Sequence, residues 1–196
     1  MRSKTRQIPK PIAIAFGTLL ALSFAGLSLA AGRTYTAAKT PAALAEFNFR
    51  VTLIPVPGTV KAVEAKINFD PKNLASINGT VSVDLSKLET GIGLRDQHAK
   101  DALDAEHFPK AIFKIKSLKG LQTLEANKEY KATAIGDFTL KGVTKALEAP
   151  INLKFDGKNI NVSTAFNIAI ADHTIAIPGA DANVDVKVQF TLEPGN

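Results

Sequence analysis

No cysteine occurs in the 196 residues. That absence excludes disulfides, a thiol nucleophile, thiolate metal ligands and a lipid-modified cysteine behind a leader. Methionine is confined to Met1, so an apolar interior has to be built from Phe, Val, Leu, Ile and Ala. The three histidines, His98, His107 and His173, are scattered. No stretch sets a nucleophile beside a base, forms a phosphate loop or spaces metal ligands usefully. The chain therefore reads as a non-enzyme, with no metal and no catalytic residue.

Acid is missing from the first ten residues, "MRSKTRQIPK", which carry Arg2, Lys4, Arg6 and Lys10. The uncharged "PIAIAFGTLLALSFAGLSLA" follows, ending in small residues at Ser28 and Ala30. This is the layout of a secretory signal peptide over residues 1–30, cleaved after Ala30. The alternative is a retained anchor, since the apolar run is just long enough to span a bilayer. Gly17, Gly26 and the small-residue ending favour cleavage. Residues 31–196 form the mature domain, expected to be periplasmic or secreted and not stably inserted in a membrane. Taking the leader's four basic residues from the formal charge of +6 leaves +2, which gives no basic footprint for nucleic acid.

The mature part alternates apolar and polar residues, the period of a strand with one wet face. "NVDVKVQFTLE" is the clearest case: Val184, Val186, Val188, Phe190 and Leu192 face one way and Asp185, Lys187, Gln189, Thr191 and Glu193 the other. "EFNFRVTL" does the same with Phe47, Phe49, Val51 and Leu53, and "NINVSTAFNIAI" with Ile160, Val162, Phe166, Ile168 and Ile170. Turn chemistry at 55–58, Asp70-Pro71, Lys141-Gly142, Asp156-Gly157 and Pro178-Gly179 separates the runs, whereas Asn78-Gly79 reads as strand because its neighbours stay in register. The pattern predicts one all-β domain of about eight antiparallel strands, a sandwich or a closed barrel.

One stretch breaks the alternation. Residues 94–106 predict a short helix that Gly93 or Thr90 begins and Pro109 stops, with Asp96–Lys100 and Lys100–Asp104 as stabilising pairs. His98 and His107 stand nine apart, on opposite faces of such a helix, and cannot share a metal. The plain reading is a charged outer face. His173, near a strand end in "IADHTIAIPG", reads as an exposed turn histidine.

The order of elements resembles the YceI-like, polyisoprenoid-binding family. The matching residues are Thr90, Gly91, Arg95, Asp96 and His98, then Pro109 and Phe113, then Gly136, Asp137, Phe138, Thr139, Leu140, Gly142, Val143, Thr144 and Lys145. "INFDP" fits the family's Phe-Asp-Pro turn. The resemblance implies an antiparallel eight-stranded lipocalin-like barrel with one short helix between strands. Its interior would hold a long-chain isoprenoid lipid, a polyisoprenoid or an isoprenoid quinone, and no other cofactor. Three departures stand out: "TAAKTPAALAEF" after Tyr35 in place of an Asp and a His-Ser, Ala99 and Leu103-Asp104 in place of bulkier residues on the helix, and "IADHTIAI" in place of an Arg-x-Asp-Phe-Gly pattern.

The inward residues then become the candidate ligand lining: Phe47, Phe49, Val51, Phe69, Val83, Phe113, Ile115, Phe138, Leu153, Phe166, Ile168, Val186 and Val188. Arg95, Asp96 and His98 are candidate head-group contacts at the barrel mouth, or else pin the helix to strand ends. The competing class is a dry structural or partner-binding barrel with a filled interior. The exported protein is expected to begin at or near Ala31, which N-terminal sequencing of exported material checks. Recovery of Met1 or of the 10–29 run in a membrane fraction would overturn the cleaved-leader reading.

Overall fold

The computed structural model describes residues 32–195; the leader and its cleavage point lie outside them. The strands are β1 (Arg33–Ala37), β2 (Leu44–Val51), β3 (Ile54–Val60), β4 (Val63–Asp70), β5 (Asn73–Asp84), β6 (Leu88–Glu89), β7 (Lys110–Lys119), β8 (Lys128–Leu140), β9 (Val143–Phe155), β10 (Ile160–Ala169) and β11 (Asn183–Pro194), with one helix, α1 (Gly93–Leu103). All paired strands are antiparallel. Continuous pairing from β1 through β4, β5 and β7 to β11, together with a β1–β11 pairing, closes an eight-stranded barrel.

The three extra pieces arise because the first three long strands are each broken once. β2 continues β1, β3 leads into β4, and β6 continues β5, so β2, β3 and β6 widen the wall beyond the closed ring. β11 serves both halves of the first strand: Asp185 to Gln189 pair with β2, and Leu192 to Pro194 pair with β1. Asn78-Gly79 lies inside β5, in register with Asn68 and Ile67.

The pattern at 55–58 does not make a turn. Pro55, Pro57 and Gly58 lie within β3 and pair with Arg50, Asn48 and Phe47. Two prolines at alternate positions lose N–H groups on the same side of the strand, which an edge tolerates. The turn is Thr52-Leu53, both with positive φ (49° and 68°), flanked by the Val51–Ile54 pair. The alternation of β2 therefore ends at Val51, and Leu53 leaves the inward face for solvent. Lys141-Gly142 makes the matching two-residue turn between β8 and β9 (φ 47° and 73°).

The two ends of the barrel differ. At one end the 120–127 segment folds across the opening: Leu124 is buried and donates its N–H to Pro71 O, and Leu74 donates to Gln122 O. The Tyr35 ring stacks on Phe69 near that end, with centroids 4.3 Å apart. At the other end lie α1, the Thr52-Leu53 and Lys141-Gly142 turns, and the 170–182 segment.

Some glycines are fixed by what surrounds them. A Cβ on Gly136 would collide with the carbonyl of Lys114 and the Phe113 ring, whereas nothing approaches the corresponding position of Gly93. Gly136→Ala is expected to cost about 2–3 kcal/mol through forced backbone displacement. Gly93→Ala, in the first turn of α1, is expected to be neutral or to stabilise by about 0.5–1 kcal/mol. Urea unfolding of both variants checks the contrast, and equal losses would contradict this account of the Gly136 site.

Candidate functional site

Inside the barrel are two apolar cavities. The upper one, about 140 Å³, lies under α1 and is bordered by Phe47, Phe49, Val83, Phe138, Ile168, Val186 and Val188, with Ala99, Ala102 and Leu103 of the helix above. The lower one, about 120 Å³, is bordered by Phe69, Val83, Phe113, Ile115, Leu153, Phe166 and Val188. Val83 and Val188 belong to both walls and mark a waist. There Phe138 and Phe166 meet edge to face, centroids 6.2 Å apart.

Of the thirteen lining candidates, Val51 alone borders neither cavity. It sits where β2 turns into β3, paired with Ile54 and bridged to Ala180. The other twelve come together as two groups, because strands of one barrel point alternate residues at a common axis.

The walls carry almost no polarity. Thr164 offers a hydroxyl to the lower cavity's lining, but that hydroxyl donates to Pro150 O at 2.7 Å. Glu46, at the border of the upper cavity, is exposed and also lines an outer groove with Thr59, Glu89 and Lys187. Among the described residues no group of three His, Cys, Asp or Glu side chains is placed to hold a metal.

The helix is shorter than its sequence suggests. It ends at Leu103, because Asp104 adopts a left-handed conformation (φ 51°) and closes the last turn with N–H bonds to Asp101 and Lys100 carbonyls. His107 thus lies beyond α1, its Nδ1 2.6 Å from Asp104 Oδ1, and that carboxylate raises the imidazole's pKa. The expected Lys100 pairs are replaced: Asp104 takes His107, and Asp96 turns back to the strand end.

Thr90 donates its N–H (2.6 Å) and its hydroxyl to one oxygen of Asp96, while Arg95 Nη2 donates to Thr90 O at 2.6 Å. Arg95 and Asp96 therefore tie α1 to the chain leaving β6. The enclosed Arg95 Nε has no protein acceptor. His98 is exposed, and none of these three borders either interior cavity, though Asp96 lines the outer groove beside Thr59 and Glu89. The far end of α1 is held by Lys141 Nζ, which donates to Ala102 O (3.0 Å) and Thr174 O (3.3 Å). A cation on helix-terminal carbonyls is favourable for both the bond and the dipole.

His173 is not an exposed turn residue. It is 3% exposed, with Nδ1 3.1 Å from Val143 O and its ring edge-on to Phe138 at 5.4 Å. A short 3-10 turn, Ile170–His173, followed by left-handed Thr174, folds the segment back over the barrel end. This also delivers Ile175 and Ile177 to the upper cavity, which strict alternation could not reveal. Ala99, Ala102 and Leu103 were within reach of sequence reasoning, since their three- and four-residue spacing marks one helix face.

Hydrogen bonds from Thr90's hydroxyl and amide, with Lys100 and Arg95 nearby, hold the Asp96 carboxyl below the ordinary aspartate range. A depressed native pKa means the anchoring is complete above about pH 5 and lost as pH falls through the native value, below the ordinary ~3.9. Asp96→Asn is expected to speed amide exchange in α1 at pH 7 while β8 and β9 stay protected. The same loosening should appear in the parent protein on acidification. Unchanged α1 protection in the variant would remove Asp96 from this role.

Comparison with known proteins adds three findings. A family model described as a YceI-like domain matches residues 35–193. Among relatives, a UPF0312 protein of Vibrio parahaemolyticus is 29% identical over 188 residues, covering 89% of this chain and 95% of that protein. Protein YceI of Escherichia coli O157:H7 is also 29% identical, over 190 residues, covering 90% and 96%. Among solved structures, a polyisoprenoid binding domain from Saccharophagus degradans, implicated in plant cell wall breakdown, superimposes with a TM-score of 0.66 at 15% identity, covering 84% of this chain and 99% of that one. Burkholderia cenocepacia BcnA gives 0.65 at 17% identity, covering 76% and 95%.

Proposed function

Since this chain belongs to the YceI-like domain family, we propose that it is an exported lipid-binding protein whose barrel holds the apolar chain of a polyisoprenoid, for carriage or storage outside the cytoplasm. The observation that carries this reading is the pair of carbon-walled cavities inside the barrel, which share the walls formed by Val83 and Val188. The similarity to a polyisoprenoid binding domain supports it.

Binding would rest on burial. At about 0.8 kcal/mol per buried methylene, a five-carbon isoprene unit contributes on the order of 4 kcal/mol gross. Association costs roughly 4–15 kcal/mol, so the roughly two units that a pair of benzene-sized cavities can enclose offset only the lower part of that range, and a longer chain has to widen the interior. Either cavity alone is in the size class, ~150 Å³, that accepts one benzene-sized guest. A long chain must therefore use both and pass the waist, which needs rotation of Phe138 or Phe166 rather than broken hydrogen bonds. Dry walls also disfavour a buried polar head, which would lose about 1–3 kcal/mol or more without a partner. A quinone or hydroxyl end belongs outside the cavities, in solvent at the helix end.

The second reading, a dry barrel for structure or partner binding, is favoured by the modest size of each cavity. Two measurements on one protein separate the readings. Organic extraction of the purified protein followed by mass analysis is expected to release a co-purifying isoprenoid. Ile168→Trp, on the upper cavity wall, is expected to fold with an unshifted midpoint once delipidated, yet to carry less lipid. In a filled core the same change overpacks and costs about 1–3 kcal/mol. A destabilised variant together with a lipid-free parent would refute the carrier reading.

A further inference from the structure

The exposed large hydrophobic residues are placed unevenly. Among the described residues, Leu53 (84% exposed), Ile54 (65%), Ile92 (55%), Leu94 (69%) and Phe108 (39%) stand out into solvent. All five belong to the helix end of the barrel: the β2–β3 turn, the start of α1 and the approach to β7. The opposite end, with turns after β4, β7 and β9, presents none of them. Single exposed apolar side chains need no explanation, but their confinement to one end does.

Leu53 adds a second, independent observation. A two-residue turn of this type demands positive φ at both positions, which Asn and Gly supply cheaply. The Lys141-Gly142 turn at the same end uses a glycine, whereas Thr52-Leu53 keeps a leucine in the left-handed region and aims it at solvent. The turn is also braced: Thr52 N–H donates to Gly179 O at 2.7 Å, Asp181 N–H to Arg50 O at 2.8 Å, and Arg50 Nε pairs with Asp181 at 3.1 Å. A leucine held at positive φ in a hydrogen-bonded turn, its side chain in solvent beside the exposed Ile54, is a strained choice of the kind found at functional contacts.

We infer that the helix end of the barrel seats on the surface of a zwitterionic lipid bilayer, with the Leu53-Ile54 tip and the Ile92 and Leu94 side chains entering the interface. Charge selects this occupant over nucleic acid or an anionic surface: residues 92–107 carry Arg95 and Lys100 against Asp96, Asp101, Asp104 and Glu106. Arrangement selects it over a protein partner, because the apolar side chains sit on separate elements around a charged helix instead of forming one groove. Continuity selects it too, since the upper cavity lies directly under α1 at this end. An apolar chain could then move between bilayer and barrel without crossing water. The seating itself does not depend on the lipid-binding reading.

The chain contains no tryptophan, so single substitutions report position. Ile54→Trp and, at the opposite end in the β9–β10 turn, Lys158→Trp are titrated with phosphatidylcholine vesicles containing brominated lipid, with and without phosphatidylglycerol. Quenching of the Ile54→Trp protein alone, without need of phosphatidylglycerol, is the expected result. Adding Leu53→Asn, Ile92→Ser and Leu94→Ser to the Ile54→Trp background should weaken partitioning at least about tenfold. Leu53→Asn alone should leave Tm unchanged or raise it by about 2 °C, since Asn tolerates the left-handed conformation. Equal quenching at both ends, no quenching at saturating vesicle, a requirement for anionic lipid, or unchanged partitioning of the combined variant would each overturn the inference. So would concentration-dependent dimerisation abolished by the same substitutions, because a second copy would then be the occupant. Quenching at the helix end by a protein that never carries lipid would sink the carrier reading and leave the seating intact.

Discussion

One edge of β11 serves two partners, β2 for its first half and β1 for its last residues, and this shared edge closes the barrel. A sheet with period-two alternation has one apolar face, and only closure hides that face along its whole length without leaving an edge. The break between β1 and β2 is what closure demands of the first strand, which must follow β11 while the wall widens. β3 and β4, paired with those two pieces, break in step. Where the wall widens, the interior is no longer filled by the opposing side chains, and the upper cavity lies there beside Phe47, Phe49 and Val60. The upper void is thus a geometric consequence of how this barrel shuts, whereas the lower one lies within the closed ring itself.

The same widening creates the need for α1. β6 covers only two residues of β3, Thr59 and Val60, and the prolines at 55 and 57 keep the rest of that strand from demanding a partner. Something other than a strand has to shield the top of the interior. α1 does so with small side chains, Ala99 and Ala102, and Leu103, and without one fully buried residue. A helix that buries so little is held by polar ties at its two ends, Thr90 with Arg95 and Asp96 at one and Lys141 at the other. Their charge-assisted bonds make up for the little apolar contact that a helix with no fully buried residue provides.

The fold was legible because alternation is a local signal: β8, β10 and β11 each present the residue sets that their spacing demands. Twelve of the thirteen lining candidates border the cavities for the same reason. The failures cluster where alternation stops and a local backbone choice takes over. Leu53 leaves the inward face at a turn made by left-handed residues with no glycine to announce it, and Val51, half-buried on the Phe47 and Phe49 face, lies just beyond the cavities there. The helix stops early at a left-handed Asp104, three residues before the charge pattern changes. His173 was unreadable because its burial depends on a 3-10 turn and on Phe138, a residue thirty-five positions away in sequence.

These local choices fall on one end of the molecule, and that asymmetry links structure to function. The far end is stitched by backbone bonds from the 120–127 segment and filled by stacked Tyr35 and Phe69. Opening it would break hydrogen bonds and expose packed rings together. At the helix end α1 has no fully buried residue and is tied by side chains, so displacing it costs part-buried polar ties and the partial burial of Ala99 and Leu103, while the paired strands stay intact. Free energies of local opening follow such differences in burial. The easier path into the interior is therefore the end that also carries the exposed apolar side chains. Under the proposed lipid-binding reading, a barrel with a closed base and a cover held mainly by side chains would exchange its apolar guest at the helix end while its strands stay paired.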